Sequence, residues 1–199
     1  MLHSQGLKES SAVQGGTALA LTLRAAQEHF AARGAVRLLD VGCGAGSFLK
    51  ALPSRFNGVG IDCNGLASLT VNISYEPLPF PDASFDMVTA WQVFEHLENP
   101  FFAGREIRRV LSPGGILIMS VPNIKRLRSR FHFFISGGIL RWSKHNDHLF
   151  VPLDAVLRKT IFQGFNILGR LYADGPIFVS ARSLFAKNKY YVLQKTENQ

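Results

Sequence analysis

Cysteine is scarce in this chain. Of its two cysteines, Cys43 sits inside a glycine-rich stretch and Cys63 follows a strand-like run. Neither belongs to a disulfide framework or a Cys-x-x-Cys metal site, and a reducing, cytoplasmic setting is expected. Long apolar runs are also missing: none reaches the ~18 residues a membrane span needs. Met1-Leu2-His3-Ser4-Gln5-Gly6 has no basic stretch leading into an apolar one, so no secretory signal is expected. Acidic residues are few, 14 against 22 Lys and Arg, and the net charge of +8 admits an anionic partner. Nucleic acid, peripheral contact with a membrane surface and an acidic metabolite all satisfy that charge. With 47% hydrophobic and 18% charged residues, the composition excludes a disordered chain. At 199 residues it suits one domain.

What is present is an alternation of apolar runs with helical patterns. Residues 1–16 are rich in Ser, Gly and Gln and read as a loose tail before a helix over Thr17–Arg33. Val36–Val41 is a short apolar run of the kind buried in a parallel sheet. Ser47–Leu52 reads as a helix, Gly58–Asp62 as a second strand, Leu69–Ile73 as a third and Phe85–Trp91 as a fourth. Pro100–Leu111 is a helix ended by Pro113-Gly114-Gly115, and Ile116–Val121 is a fifth strand. The pattern predicts an α/β fold with a doubly wound, Rossmann-like sheet over a single domain. Beyond Pro122, a basic and aromatic stretch precedes a helix over Pro152–Phe162. Gly164–Leu168 and Tyr190–Gln194 follow as closing strands of an antiparallel edge.

The first strand runs into Asp40-Val41-Gly42-Cys43-Gly44-Ala45-Gly46, at the strand end where ligands bind in such sheets. Glycine lets the backbone turn tightly and lets a ligand lie against it without a Cβ in the way. The spacing is GxGxG, since Ser47 stands where a dinucleotide fingerprint would place its third glycine. Asp40 just before the loop would repel a pyrophosphate but attract an ammonium group. Asp62, at the end of the second strand, stands where a carboxylate accepts hydrogen bonds from ribose hydroxyls.

The stretches LLDVGCGAGSF, VGID, EPLPFPDASFDMV, VFEHLENP and REIRRVLSPGGILIMSVPN resemble, in that order over residues 36–123, the class I S-adenosylmethionine-dependent methyltransferases. The resemblance implies a mostly parallel seven-stranded sheet whose last strand is antiparallel, and S-adenosyl-L-methionine as cofactor. It places the methionine part on the Asp40–Gly46 loop, the ribose on Asp62 and the reactive end near Trp91 and Gln92. The implied cofactor contacts are Asp40, Gly42, Cys43, Gly44, Gly46, Asp62, Cys63, Trp91 and Gln92. Two departures from the family stand out. The chain between Asp62 and Leu78 is shorter by about a helix, and the Asp often found beside adenine is absent, with Asn72 and Ile73 nearest.

His145-Asn146-Asp147-His148 falls where such folds close over substrate, so His145 and His148 are candidate general bases for O-methylation. A polar turn capping the next helix is the plainer reading of the same residues. Glu95 and His96 could hold a metal with those histidines, or simply start a helix; no metal site is expected. Lys125, Arg126, Arg128, Arg130, Arg141 and Lys144 surround Phe131, Phe133, Phe134, Ile135 and Trp142. Among functional readings of that stretch, within residues 123–160, a lid over an anionic small-molecule substrate leads. A stacking surface for nucleic acid, an interfacial segment and a plain cover for the sheet are the other readings. The function expected is methyl transfer to a small-molecule, lipid or glycan-precursor acceptor, with RNA methylation and a non-catalytic cofactor-binding subunit as alternatives.

Overall fold

A computed structural model of the chain describes residues 3–65, 67, 69–136, 154–173 and 182–197, with backbone alone for residues 3–15, 136 and 182–183. Seven strands form one sheet in the order β3-β2-β1-β4-β5-β7-β6. In chain order they are β1 (Val36–Val41), β2 (Phe56–Asp62), β3 (Leu69–Thr70), β4 (Phe85–Trp91), β5 (Leu111–Pro122), β6 (Phe165–Ala173) and β7 (Asn188–Lys195). β1 pairs in parallel with β2 and β4, and β4 with β5, while β7 is antiparallel to both β5 and β6. The last strand is therefore the reversed one, inserted between two parallel neighbours. β1 and β4 match their predicted bounds because a strand buried on both faces reads as an unbroken apolar run.

Helices cover the two faces separately. On one, α1 (His3–Phe30) packs Ala25, Ala26 and Phe30 against Val36, Leu38, Met87, Ile116 and Ile118, with α2 (Ser47–Ala51) beside it. On the other, α3 (Pro100–Val110) buries Ala103, Ile107 and Val110 against Leu39, Val88, Leu117 and Met119. Proline at the first turn of α3 forfeits no helical bond, and the Asn99 side chain accepts from the Phe102 N–H at 3.1 Å. α5 (Asp154–Lys159) joins this face through Leu157, and Gly104 lets α3 approach the backbone of Ile161. α4 (Leu127–Ser136) and the short α6 (Arg182–Phe185) complete the α-helices among the described residues.

Three expectations shift. The stretch read as a tail is helical from His3, so helix-forming Leu7, Lys8, Glu9, Ala12 and Gln14 outweigh Gly15 and Gly16. β5 begins at Leu111, and the Pro113-Gly114-Gly115 break lies inside it as a bulge opposite Phe85–Met87, with Gly114 at φ 69°. β3 holds two residues, and β2 reaches it through residues 63–68. Parallel neighbours ordinarily need a crossover of a dozen residues or more. The short path accords with the helix absent from the sequence between Asp62 and Leu78.

Asp86 ties α1 and β1 to the end of β4 remote from the glycine loop. Its carboxylate is almost fully buried and accepts from the Arg37 backbone N–H at 3.0 Å, the Arg37 guanidinium at 2.7 Å, and Arg33. Burial works to raise its pKa, but the Arg37 hydrogen bonds, with Arg33, hold it below the usual 3.8. Because both arginines are about half exposed, Asp86→Asn should cost about 2 kcal/mol, less than a fully buried pair would. A lowered carboxyl pKa stabilises above 3.8 and stops doing so as pH falls through the folded value. Urea unfolding should therefore separate wild type from Asp86→Asn at pH 6 and bring them together near pH 2.

Candidate functional site

The two-residue period of the strands assembles the site. Val36, Leu38 and Asp40 share the α1 face of β1, Met87, Thr89 and Trp91 that of β4, and Ile118 and Ser120 that of β5. The register sets Asp40 opposite Thr89, and one step further along it aligns Trp91, Ser120 and Tyr190 across three strands. An apolar face thus turns polar and aromatic at the carboxyl ends of the parallel strands.

Asp40 is 1% exposed, and its carboxylate accepts from Thr89 Oγ1 at 2.7 Å. Burial raises its pKa to about 7, against the lowering effect of Thr89 and with a further rise from the nearby Asp62 charge. Among the described residues no cation pairs with it. Immediately above, Gly42, Gly44 and Gly46 take φ of 72°, 53° and 75°, the left-handed region that side chains disfavour. At Gly42 a Cβ would also lie 2.5 Å from Val93 Cγ2, whereas at Gly44 and Gly46 it would meet nothing within 4 Å. The last two glycines therefore serve the turn more than they make room.

Most of the loop's amides are engaged within the protein. Gly42 and Cys43 both donate to the Ile61 carbonyl, Gly46 to Cys43 O, and Gly44 to Asp62 Oδ2 at 2.8 Å. A loop with these donors committed makes a poor phosphate cradle, which needs convergent free N–H groups. Asp62 also accepts from the Asn64 N–H at 3.0 Å, and a carboxylate so placed keeps lone pairs for further donors. Cys43 Sγ lies over Gly60, where a Cβ would be 2.5 Å away, so the bare strand at Gly60 is part of the loop's seat. Burial, then the charges of Asp40 and Asp62, raise the Cys43 thiol pKa.

Beside the loop is a cavity of about 420 Å³ lined by Cys43, Phe48, Trp91, Gln92, Ser120 and Tyr190, with Gly16, Ala18 and Leu19 of α1 closing it. Phe48 meets the Trp91 ring edge-on at 5.4 Å, and Tyr190 lies 6.3 Å from it on the other side. The Trp91 indole N–H is buried and has no acceptor among the described residues. Gln92 holds φ of 55°, unusual for a residue with a side chain, secured by its backbone N–H and amide nitrogen on Ser120.

Of the expected cofactor residues, Cys43, Trp91 and Gln92 line the cavity; Gly42, Gly44 and Gly46 make the turns of the loop on either side of Cys43; Asp40 lies beneath and Asp62 behind the loop. Cys63 is exposed and lies outside the lining. Thr89, Ser120 and Tyr190 were not expected, although counting by twos from Asp40's neighbours along β4 and β5 would have found the first two. Ile73 is buried in the core, and Asn72 is exposed with its side chain capping the Ser74 N–H. On the 3₁₀ turn Phe94–His96, Glu95 is buried while His96 is exposed, so the two diverge. Among the described residues no cluster of metal-ligating side chains forms. His145 and His148 lie outside the described residues, as do Arg141, Trp142 and Lys144.

The raised carboxyl at Asp40 has a consequence for stability. Between pH 3.8 and about 7 the folded state keeps a proton that the unfolded chain releases, so folding weakens as pH rises through that window. Removing the charge in Asp40→Asn should make the ligand-free protein more stable than wild type at pH 8, an advantage that shrinks at pH 5. Parallel melting curves at the two pH values would refute the burial argument if the two proteins differed equally at both.

The comparisons agree with this geometry. Residues 39–119 match the model of a methyltransferase domain family. An uncharacterized methyltransferase of Mycobacterium tuberculosis is 33% identical over 96 residues, 42% of this chain and 38% of that protein. A ubiquinone biosynthesis O-methyltransferase of Sinorhizobium fredii is 28% identical over 134 residues, 59% of this chain and 54% of that protein. The chain thus spans about half or less of these relatives' lengths. The solved structure of an S-adenosylmethionine-dependent methyltransferase from Archaeoglobus fulgidus shares the fold, with a TM-score of 0.61 at 20% identity over 88% of this chain and 92% of that one. Motif order, strand order and the match over residues 39–119 concur on a methyltransferase-like domain with the fold of S-adenosylmethionine-dependent methyltransferases.

Proposed function

We propose that the chain binds S-adenosyl-L-methionine at the Asp40–Gly46 loop and transfers its methyl group to an oxygen of a small-molecule, lipid or glycan-precursor acceptor held in the adjoining cavity. The carrying observation is Asp40: a buried carboxylate without a cation among the described residues, below a loop whose amides are already committed. That combination suits a ligand bringing an ammonium and disfavours one bringing a pyrophosphate. Asp62 would accept from ribose hydroxyls with its remaining lone pairs, and Trp91, which lines the cavity, keeps a buried N–H that a bound group could engage.

Bound there, the sulfonium would supply an electrophilic methyl carbon to an acceptor oxygen, with the carbon–sulfur electron pair kept on sulfur and the acceptor's proton lost to water. The chain's contribution is alignment and exclusion of water, which such displacements chiefly need. Phe48, Trp91 and Tyr190 hold the acceptor region apolar, and the constrained Gln92 fixes the cavity floor. The relationship to an O-methyltransferase of ubiquinone biosynthesis supports oxygen as the acceptor atom.

Calorimetry with S-adenosyl-L-methionine and S-adenosylhomocysteine tests the reading, and absence of heat with both ligands sinks it. An ammonium beside Asp40 requires the carboxylate form, so affinity should rise about tenfold from pH 5.5 to pH 7. Asp40→Asn should bind more weakly and lose that pH dependence. Trp91→Phe keeps the ring and removes the donor; it should weaken binding about fivefold, as one lost hydrogen bond does.

A further inference from the structure

α4 is turned inside out. Leu127, Phe131, Phe134 and Ile135 recur at i, i+4, i+7 and i+8, so they share one face of the helix. In a helix packed on a globular body that face would be covered. Here the four are 51%, 66%, 88% and 68% exposed, while Ser129, on the opposite side, is 4% exposed and turned to the protein. Arg130 borders the apolar face on one side and Arg128 on the other, both exposed. The helix has no acid, and none occurs between Glu106 and Asp147. The plain reading, in which the aromatics cover the sheet and the charges face water, therefore fails for this segment. The lid reading also lacks support here, since no α4 residue lines the cavity.

We propose that α4 is an interfacial helix that docks on an anionic lipid surface, with Leu127, Phe131, Phe134 and Ile135 entering the acyl boundary and Arg128 and Arg130 pairing with lipid phosphates. An apolar ridge flanked by arginines is the arrangement such helices need, because greasy side chains sit deepest and cations remain at headgroup level. No described helix is long and apolar enough to cross a membrane, so contact would be peripheral. A nucleic-acid surface would put the cations foremost, whereas here Phe134 stands furthest out. A second copy is disfavoured because like-charged arginines would meet across the axis. The patch, on the order of 500 Å², also falls short of the ~800 Å² each partner of a stable pair contributes. The proposal is independent of methyl transfer.

Flotation of the 199-residue chain with vesicles of equal parts phosphatidylglycerol and phosphatidylcholine, against pure phosphatidylcholine, provides the test. Binding should be at least about tenfold tighter to the anionic vesicles and should weaken with added salt. Phe131→Ser/Phe134→Ser and Arg128→Gln/Arg130→Gln should each lose about tenfold while keeping the wild-type melting temperature and unchanged S-adenosyl-L-methionine calorimetry. Failure to float on anionic vesicles overturns the proposal, as does equal binding to both compositions. So would a dimer that the phenylalanine variant dissociates, or tighter binding to polyuridylate than to vesicles. Vesicle binding without cofactor heat would leave this inference standing and remove only the methyl-transfer reading.

Discussion

The parallel pairing of β1 with β4 is the constraint from which the site follows. Its register sets the Asp40 carboxylate against Thr89 Oγ1, and that one hydrogen bond is what makes a buried acid tolerable at the centre of an apolar sheet. A slip of one residue would send Asp40 to the α3 face, bring Leu39 under the glycine loop and turn Trp91 away from α1. The loop, the cavity and the buried, unpartnered indole donor are therefore consequences of a single strand alignment.

How much of this was legible depended on which force acted locally. Buried parallel strands announce themselves as apolar runs, so β1 and β4 were read to the residue, and three glycines flanked by Asp40 and Ser47 marked the loop. β5 was read short because Pro113-Gly114-Gly115 is a helix-stopping signal by local rules, and only pairing with β4 shows that the strand continues through it. Tyr190 was read as part of a closing strand and missed as a site residue, since its place depends on β7 inserting between β5 and β6, a contact far apart in sequence. The segment over 76–82 is held by a similarly distant clamp. Arg109 donates to Phe80 O, Leu78 O and Asp82, while Glu106 accepts from the Leu78 N–H.

The short crossover after β2 alters the balance of the ligand region. With residues 63–68 leading directly to a two-residue β3, the β2 side carries exposed Cys63, Leu69 and Thr70 where a covering helix would otherwise stand. Enclosure is concentrated on the other flank, under α1 and between Phe48 and Tyr190. Recognition of any bound group should accordingly be strongest at its end nearest the loop and Trp91.

α4 belongs in the same frame. It leaves β5 only five residues after Pro122, with Asn123 anchored to the backbone of Ala186 and Lys187, so it starts at the end of the sheet that carries the glycine loop and the cavity. An apolar ridge at that end is costly in water, and its neighbours Arg128 and Arg130 cannot be relieved by any acid on the helix itself. Water penalises such a surface and an anionic interface rewards it. Its position implies that a surface occupying α4 would lie near the same end of the sheet as the cavity proposed for the acceptor, which joins the lipid-docking inference to the apolar lining of that cavity without either depending on the other.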